Sequence, residues 1–438
     1  IGQNASTASG ENTIVIGKAI SSSVDNEIAI GGTGNTIKLF NAYTLPTSDG
    51  SAGTALVTNG SGALSFSSVG ADLYAANPSS ATDPTASGAN AVAIGDSSSS
   101  TGSGSIALGG GSASGSGAFA FGLSSTSSNG YSIAFPRSTA SARGSFAAGS
   151  DGGNFGSVAA GTGSMALATS YASGEGSFAA AITNNTSSYG ATGANSIAIG
   201  YQNIANDPNA VAIGKSNISS GSQTSIAIGQ SNNVTGMRGV AIGSSNTVSG
   251  LIAHAYGDSN TVSGQYAVAF NRSNDAASNY SFVSGYYADS HGVKGRLARG
   301  TAGLSLNGTK GDAQYGLLVL SKNTTDATQT ALSTDTLTAG SDNQLVVQNN
   351  GAVAFHGTVV AKQASSSNVA AWEVKGLMHN VTTATLVNSA ITVINNAPGW
   401  GLAISADTTN DAVQFLVTGA GVNISWVATI HSSEVIRS

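Results

Sequence analysis

The chain has 438 residues, of which only 8% are Asp, Glu, Lys or Arg, with 59 glycines and no cysteine. A net charge of −6 on a chain with only 15 basic residues leaves no basic stripe to displace counterions from nucleic acid, and the missing thiols exclude disulfides, Cys-based zinc sites and thiol nucleophiles. Low charge with abundant Gly, Ser and Asn would suit disorder, but Val, Ile and Phe recur at regular intervals, which points to a folded chain solvated through hydroxyls and amides.

No apolar run reaches the roughly 18 residues of a membrane span, and no basic-then-apolar leader is present. The opening "IGQNAS" begins with the Ile-Gly that elsewhere closes a repeated phrase, so the sequence is expected to start inside a repeat with more protein upstream. That phrase, apolar-small-apolar-Gly, closes at Gly17 and Gly31, at Gly95, Gly109 and Gly122, and again at Gly200, Gly214, Gly229, Gly243 and Gly257; Asn271 fills the slot before Gly285. The spacing is mostly 13 to 15 residues. Units built on helix hairpins, propeller blades or leucine-rich repeats need about 20 residues or more. Two short strands and two turns fit instead, giving one coil of a β-solenoid. Within "VAIGKSN" at 211–217, Val211 and Ile213 point one way and Ala212 the other; Gly214 opens a turn and Ile218 starts a second strand.

Residues 1–37 are thus expected to form coils, and 38–88 an interruption. Asp49-Gly50 and Asn59-Gly60 are hairpin-turn dipeptides between alternating runs such as "TALVT" and "ALSFS". This β-insert looks like a segment frequent in phage fibre proteins. The proline-bearing "ANPSSATDPTASG", 76–88, reads as a linker.

Coils resume over 89–290. Two places before each closing Gly, or its substitute, stand Ala29, Ala93, Ala107, Ala120, Ala134, Ala147, Ala159, Ala166, Ala179, Ala198, Ala212, Ala227, Ala241, Ala255 and Ala269, with Val15 and Val283 as exceptions. Ala is a poor strand former, so something close must forbid larger side chains. The expectation is that Val and Ile fill each coil while the Ala face presses on another chain. The alternative is an Ala-lined narrow interior with the branched residues facing a partner. On either reading a monomer leaves an apolar face in water, so an oligomer is expected. His254 stands in the column of Val211, Val240 and Val268, where it either meets its own copies or turns into its coil, kept neutral by burial.

"ANSIAIGYQN", 194–203, and "NAVAIGKSN", 209–217, resemble the head repeats of trimeric autotransporter adhesins, over residues 1–37 and about 89–290. The resemblance implies a trimeric left-handed parallel β-roll. Fourteen or fifteen coils at about 4.8 Å each would make a shaft of roughly 65 to 75 Å.

After residue 290 the rhythm gives way to longer alternating strands with Gly, Asn and Asp turns, which read as a β-sandwich or jelly-roll-like domain over 291–438. The "GDAQ" opening, "VVAKQ…AAWEVKGL", "PGWGLAISADTTN" and "WVATIHSSEVI" resemble, in that order, the C-terminal domain of bacteriophage tail fibres and related virion proteins, over about 295–438. The two resemblances together imply a homotrimeric tail fibre: a virion structural and adhesive protein outside the cell, joined to other tail proteins at its N-terminal end. It would bind a host cell-surface glycan or outer-membrane receptor. The rival readings are a bacterial trimeric autotransporter passenger and a polysaccharide-degrading tailspike.

The candidate site residues favour no enzyme. Period-2 phasing puts Trp372, Trp400 and Trp426 in the core, leaving receptor contact to loops such as 322–328 and 406–412. Asp407 and Asp411 share a loop, where a glycosidase pair would stand some 5 to 9 Å apart, but turn aspartates explain them better. Five scattered histidines suggest neither metal nor triad, and the Gly-rich stretches precede no helix that could hold a phosphate, so no cofactor is expected. Lys294, Arg296 and Arg299 form the one basic cluster, read as a solvated collar or as a contact to acidic groups of a neighbouring subunit.

Overall fold

The computed structural model describes residues 82–149, 156–182, 188–301, 306 and 308–437, together with 6–7, 13–17, 21–22, 25–26, 28–30, 38–39, 43–46, 48, 50–52 and 54–68. It divides into two compact units, Ile1–Ser80 and Ala81–Ser438. Among the described residues every regular element is a strand.

In the first unit Ile14–Ile16 pairs in parallel with Ile28–Ile30, setting Val15 beside Ala29, as the fourteen-residue repeat requires. The insert is a hairpin of Thr54–Thr58 and Leu64–Ser68. Its turn follows Asn59-Gly60: the Asn59 carboxamide oxygen accepts the N–H groups of Ser61 and Ala63 at 2.9 and 3.1 Å. Asp49, the opening "IGQNA" and the first six residues of the linker, 76–81, lie outside the described residues.

The second unit is a parallel solenoid that runs into a sandwich. Each coil contributes one longer strand, from Val92–Ile94 to Phe282–Tyr286 and then Leu297–Gly300, shortened to two residues at Ile133–Ala134, and one two-residue strand, from Thr85–Ala86 to Asp275–Ala276. Each strand pairs in parallel with its counterpart one coil away, so two sheets grow side by side. The register puts Ala212 beside Ala198 and Ala227, one Ala over the next.

The Ala column faces inward, which reverses the expected orientation. Ala107, Ala120, Ala198, Ala212, Ala241 and Ala255 have no exposed surface, whereas Val211, Ile213, Val240 and Ile242 stand outside the coil and are partly or fully exposed. A coil of about fourteen residues brings its two sheets too close together for branched side chains on both. Opposite the Ala column the short strands supply a second inward residue, among them Ser127, Ala140, Ala172, Val234 and Val248. Ala159 belongs to this second column, paired with Ala140 and Ala172, and not to the first.

The closing glycines answer to neighbouring coils. Gly214, Gly229, Gly243 and Gly257 hold φ near 120°, and a Cβ on any of them would overlap the carbonyl oxygen of the same slot one coil on, so no side chain fits. Asn271 takes the slot with φ of 76°. The Ser-Asn pair after each late Gly makes a ladder. Asn217 donates from Nδ2 to the carbonyls of Ile213 and Gly229 at 3.0 and 2.7 Å, and both its N–H and its Nδ2 reach Oδ1 of Asn203 at 2.9 and 3.1 Å. Asn232, Asn246, Asn260 and Asn274 repeat the pattern.

The sandwich grows directly from the longer-strand sheet. Leu297–Gly300 pairs antiparallel with Ala313–Thr324, followed by Ile424–Ile436, Gly351–Gln363, Val369–Asn380 and Ala384–Asn395. A second sheet of Thr330–Ala331, Ala412–Thr418, Leu345–Val346 and Gly401–Asp407 closes over one face. Leu318, Leu320, Val359, Trp372, Phe415 and Trp426 fill the space between.

Candidate interaction surface

The outward face of the longer-strand sheet carries two apolar columns flanking each inward Ala. One runs through Ile106, Phe119, Ile133, Phe146, Met165, Phe178, Ile197, Val211, Ile226, Val240, His254, Val268 and Phe282, each in register with the next. Rings stack along the face: Phe121 on Phe135 at 5.4 Å between centroids, and Tyr256 on Phe270 at 4.9 Å. The outward residues of the short-strand sheet are mostly hydroxylic or amide, such as Ser99, Ser112, Thr126, Thr139, Asn233, Thr247 and Thr261, with Val158, Tyr171, Ile204 and Ile218 among them. One broad side of the solenoid is therefore apolar and the other is suited to water. His254 lies on the apolar side, in its predicted column between Val240 and Val268, with its ring edge-on to Tyr256. It does not turn into its own coil.

The basic cluster is neither a solvated collar nor, for two of its members, free to meet another subunit. Arg296 is fully buried and bonded through Nη2 to Glu434 of the same chain. Burial alone would raise the Glu434 pKa; the charges of Arg296 and His291 and the donors Gln314 and Ser432 outweigh it and hold the carboxylate below its usual range. Lys294 bridges Asp342 and Asp335 at 2.7 and 3.1 Å, which raises its own pKa. Arg299 is exposed. Around the Arg296–Glu434 pair, burial and the Arg296 charge lower His291 to about 4, and burial raises Asp289 to about 6. This cluster welds the last coil to the sandwich; sequence reasoning missed it because its members lie more than a hundred residues apart.

All three tryptophans are buried, as the alternation indicated, with Trp426 stacked on Trp372 at 5.6 Å and tilted against Trp400 at 5.8 Å. The Trp426 indole donates to the Thr324 hydroxyl. Asp407 and Asp411 do not converge on a common site. Asp407 is buried at its strand end, and its carboxylate accepts from Gln344, Asn410 and Gln414 side chains and from the Thr409 and Asn410 N–H groups. Burial opposes its ionisation, but these donors outweigh it and hold its pKa low. Asp411 accepts the Ala384 N–H and holds φ of 50°. Both organise the turn. In the other proposed loop Asp326 caps its own turn by accepting the Thr328 N–H.

Two histidines that the spacing left unconnected meet on the outer face of the sandwich. His356 and His431 sit opposite each other on neighbouring strands with rings stacked at 5.1 Å, and the Tyr315 hydroxyl hydrogen-bonds His431 Nδ1. They border a cleft of about 410 Å³ with Thr358, Glu373, Lys375 and Thr429. Among the described residues no group of three or more His, Cys, Asp or Glu is placed to hold a metal ion.

Compared with known families, the chain matches the YadA head domain repeat over residues 86–112, 191–217 and 222–246. These are coils of the solenoid, and their likeness is to the head of a trimeric autotransporter adhesin. No curated protein matches the chain.

Proposed function

We propose that the chain is a homotrimeric attachment fibre of a bacteriophage, with residues 1–37 and 89–290 as its β-roll shaft, 38–88 as an insert and linker, and 291–438 as the tip. Other tail proteins hold its N-terminal end, and the tip meets a glycan or outer-membrane receptor on the host. The observation that carries the oligomer is the one-sided apolar surface: two columns of Val, Ile and Phe on one sheet, against Ser, Thr and Asn on the other. Burying such columns contributes about 25 cal/mol per Å² of apolar area, and a closed ring of like subunits does so without leaving an open end. Three tips on one shaft then turn weak contacts into avidity.

The viral assignment draws its support from the C-terminal motifs, "GDAQ" through "WVATIHSSEVI". The head-repeat match favours a second reading, a passenger of a bacterial trimeric autotransporter. Light scattering tests the oligomer: the expected mass is three times 42.7 kDa, and a monomer at micromolar concentration overturns it. Adsorption competition separates the two sources. The purified protein should bind host cells and block phage adsorption; binding without a block favours the autotransporter. The protein acts by binding without turnover, and release of reducing sugar from capsule or lipopolysaccharide would make it a tailspike instead.

A further inference from the structure

We propose that the outward face of the C-terminal sheet is an interface with further copies of this chain, continuous with the apolar face of the solenoid. The inference rests on the homotrimer reading and carries it from the coils to the tip.

The sheet that presents the apolar columns does not end with the coils. Phe282 stands in register with Leu297, Leu297 with Leu317, Leu317 with His431, and His431 with His356. All five side chains point away from the interior, on the face that Val240 and Val268 share lower down. The tip extends that face with Val319, Val360 and Val427, which are 53, 51 and 46% exposed. Val427 is directly opposite both Ser321 and Val360. None of these valines serves the chain's own core, because the opposite face of the same strands is the one closed by the second sheet. Three outward valines around Thr358 and Thr429 make a neutral, half-apolar patch, and large patches of that kind on a soluble protein mark contacts.

Symmetry selects the occupant. Copies related by a rotation axis along the direction of coil stacking keep each coil level with its counterpart. Sliding by one coil, about 4.8 Å, would displace every Phe and Ile stack at once. Copies docked through the coils must therefore hold their tips level, and the tip face meets the same face of its neighbours. Charge is sparse on this face: Glu373 and Lys375 lie side by side on the next strand, opposite Thr358 and His356, and the exposed Arg299 and Lys362 stand toward its margins.

The chain contains no cysteine, so single thiols can be placed in the full-length protein without background. Three variants suffice: Ile213→Cys on the solenoid's apolar face, Val427→Cys on the tip face and Thr247→Cys on the hydroxylic face. If copies cover both apolar surfaces, a bulky maleimide should label Ile213→Cys and Val427→Cys at least about tenfold more slowly than Thr247→Cys, since access limits thiol reactivity. Slow labelling of Ile213→Cys with fast labelling of Val427→Cys overturns the tip interface and leaves the homotrimer standing. Fast labelling of both, or slow labelling on a protein whose mass is that of one chain, overturns both. Protection of Val427→Cys only when host glycan is added identifies the face as a receptor site and overturns the proposal.

Discussion

The coils before and after residue 200 share one backbone plan and fill it differently. In most earlier coils the turn after the longer strand carries an inward Ser whose hydroxyl bonds its own turn, as Ser125 does to the Gly122 carbonyl and Ser157 to that of Ala148; Ser98, Ser138 and Ser170 each also reach the next coil, at the Gly110 N–H, the Gly149 carbonyl and the Ile182 N–H. In the later coils the same position carries Asn, which bonds the coil before and the coil after. The interiors differ as well. Ser127 faces Ser132 with their hydroxyls 2.6 Å apart, whereas Val234 has Gly239 beside it and Val248 and Val262 are followed five residues later by the buried Ala253 and Ala267. A narrow solenoid thus has two solutions for its buried backbone carbonyls. A hydroxyl makes one link to a neighbouring coil or none, while carboxamides bond the coils on both sides and tie them into a ladder whose cooperativity is expected to be greater.

The largest expected effect breaks the later arrangement at its glycine. Gly243→Ala puts a Cβ into the Gly257 carbonyl at φ of 122°, and neither the backbone nor the oxygen has room to move. The expected cost exceeds about 4 kcal/mol, seen as loss of the folded late coils in thermal melts or limited proteolysis. The same change at Gly109, where φ is 58° and the nearest atom to a new Cβ is 3.6 Å away, should cost only the about 1–2 kcal/mol of a left-handed Ala. Equal losses at the two sites would mean that the close approach is not what the glycine serves.

Next in size is the ladder itself. Asn246→Ala removes donors to the Ile242 and Gly257 carbonyls and the acceptor for Asn260. With buried groups left unpaired, the cost should reach about 2–4 kcal/mol, against about 1 kcal/mol for Ser125→Ala. Urea melts of the two variants check the ratio, and a ratio near one would remove the distinction between the coil types.

How much of this was legible follows from what a period can encode. The spacing of Gly and the alternation of Val, Ala and Ile specified coils, strands and register, and the tryptophan phasing located the sandwich core. Alternation separates two faces without saying which is inward. Here the error came from treating Val and Ile as fillers of an interior too narrow for them. The signal that could have decided it lies in paired sizes: Val234 with Gly239, Val248 with Ala253, Ser127 with Ser132. Large beside small and hydroxyl beside hydroxyl mark an enclosed space. The Ser-Asn dipeptide was visible, but its ladder was not, because a turn reading asks nothing of the coil below. Arg296 and Glu434, or His356 and His431, meet only through the topology.

The junction with the sandwich differs from both kinds of coil in burying charge, and pH separates it from them. Asp289, raised from 3.8 to about 6, binds its proton more tightly when folded. Its contribution to stability falls as pH rises from 3.8 through 6, and the full penalty is present above that. His291, lowered from 6.5 to about 4, acts oppositely: the unfolded chain takes its proton first, so stability falls as pH drops from 6.5 through 4. Asp289→Asn keeps an oxygen for the His291 N–H and removes only the first effect. It should stabilise the protein by up to about 3 kcal/mol at pH 8, with the gain fading by pH 4. A gain independent of pH would show that the carboxylate is not the source.

The smallest effect tests the paired sizes. A Cβ at position 239 would stand 2.8 Å from Val234 Cγ1, 2.9 Å from the Gly236 carbonyl oxygen and 3.1 Å from Val248 Cγ1. Gly239→Ala should therefore cost about 1–3 kcal/mol by overpacking. Val234→Ala alone leaves a small cavity, and a methyl at 239 points into that space. The double variant should accordingly be more stable than the sum of the singles by about 1 kcal/mol, within the range for residues in contact. The equivalent cycle at Ser127 and Ser132 exchanges a hydrogen bond instead of volume. Its coupling should have the same sign from a different source: once one hydroxyl of the pair is gone, removing the other no longer loses their shared bond, and what it still costs comes from contacts such as the Ser132 donation to the Asn129 carbonyl. Thermal midpoints of each single and double variant, compared under one set of conditions, check both couplings; additivity in the 234–239 cycle would mean that the solenoid relaxes around its side chains instead of being sized by them.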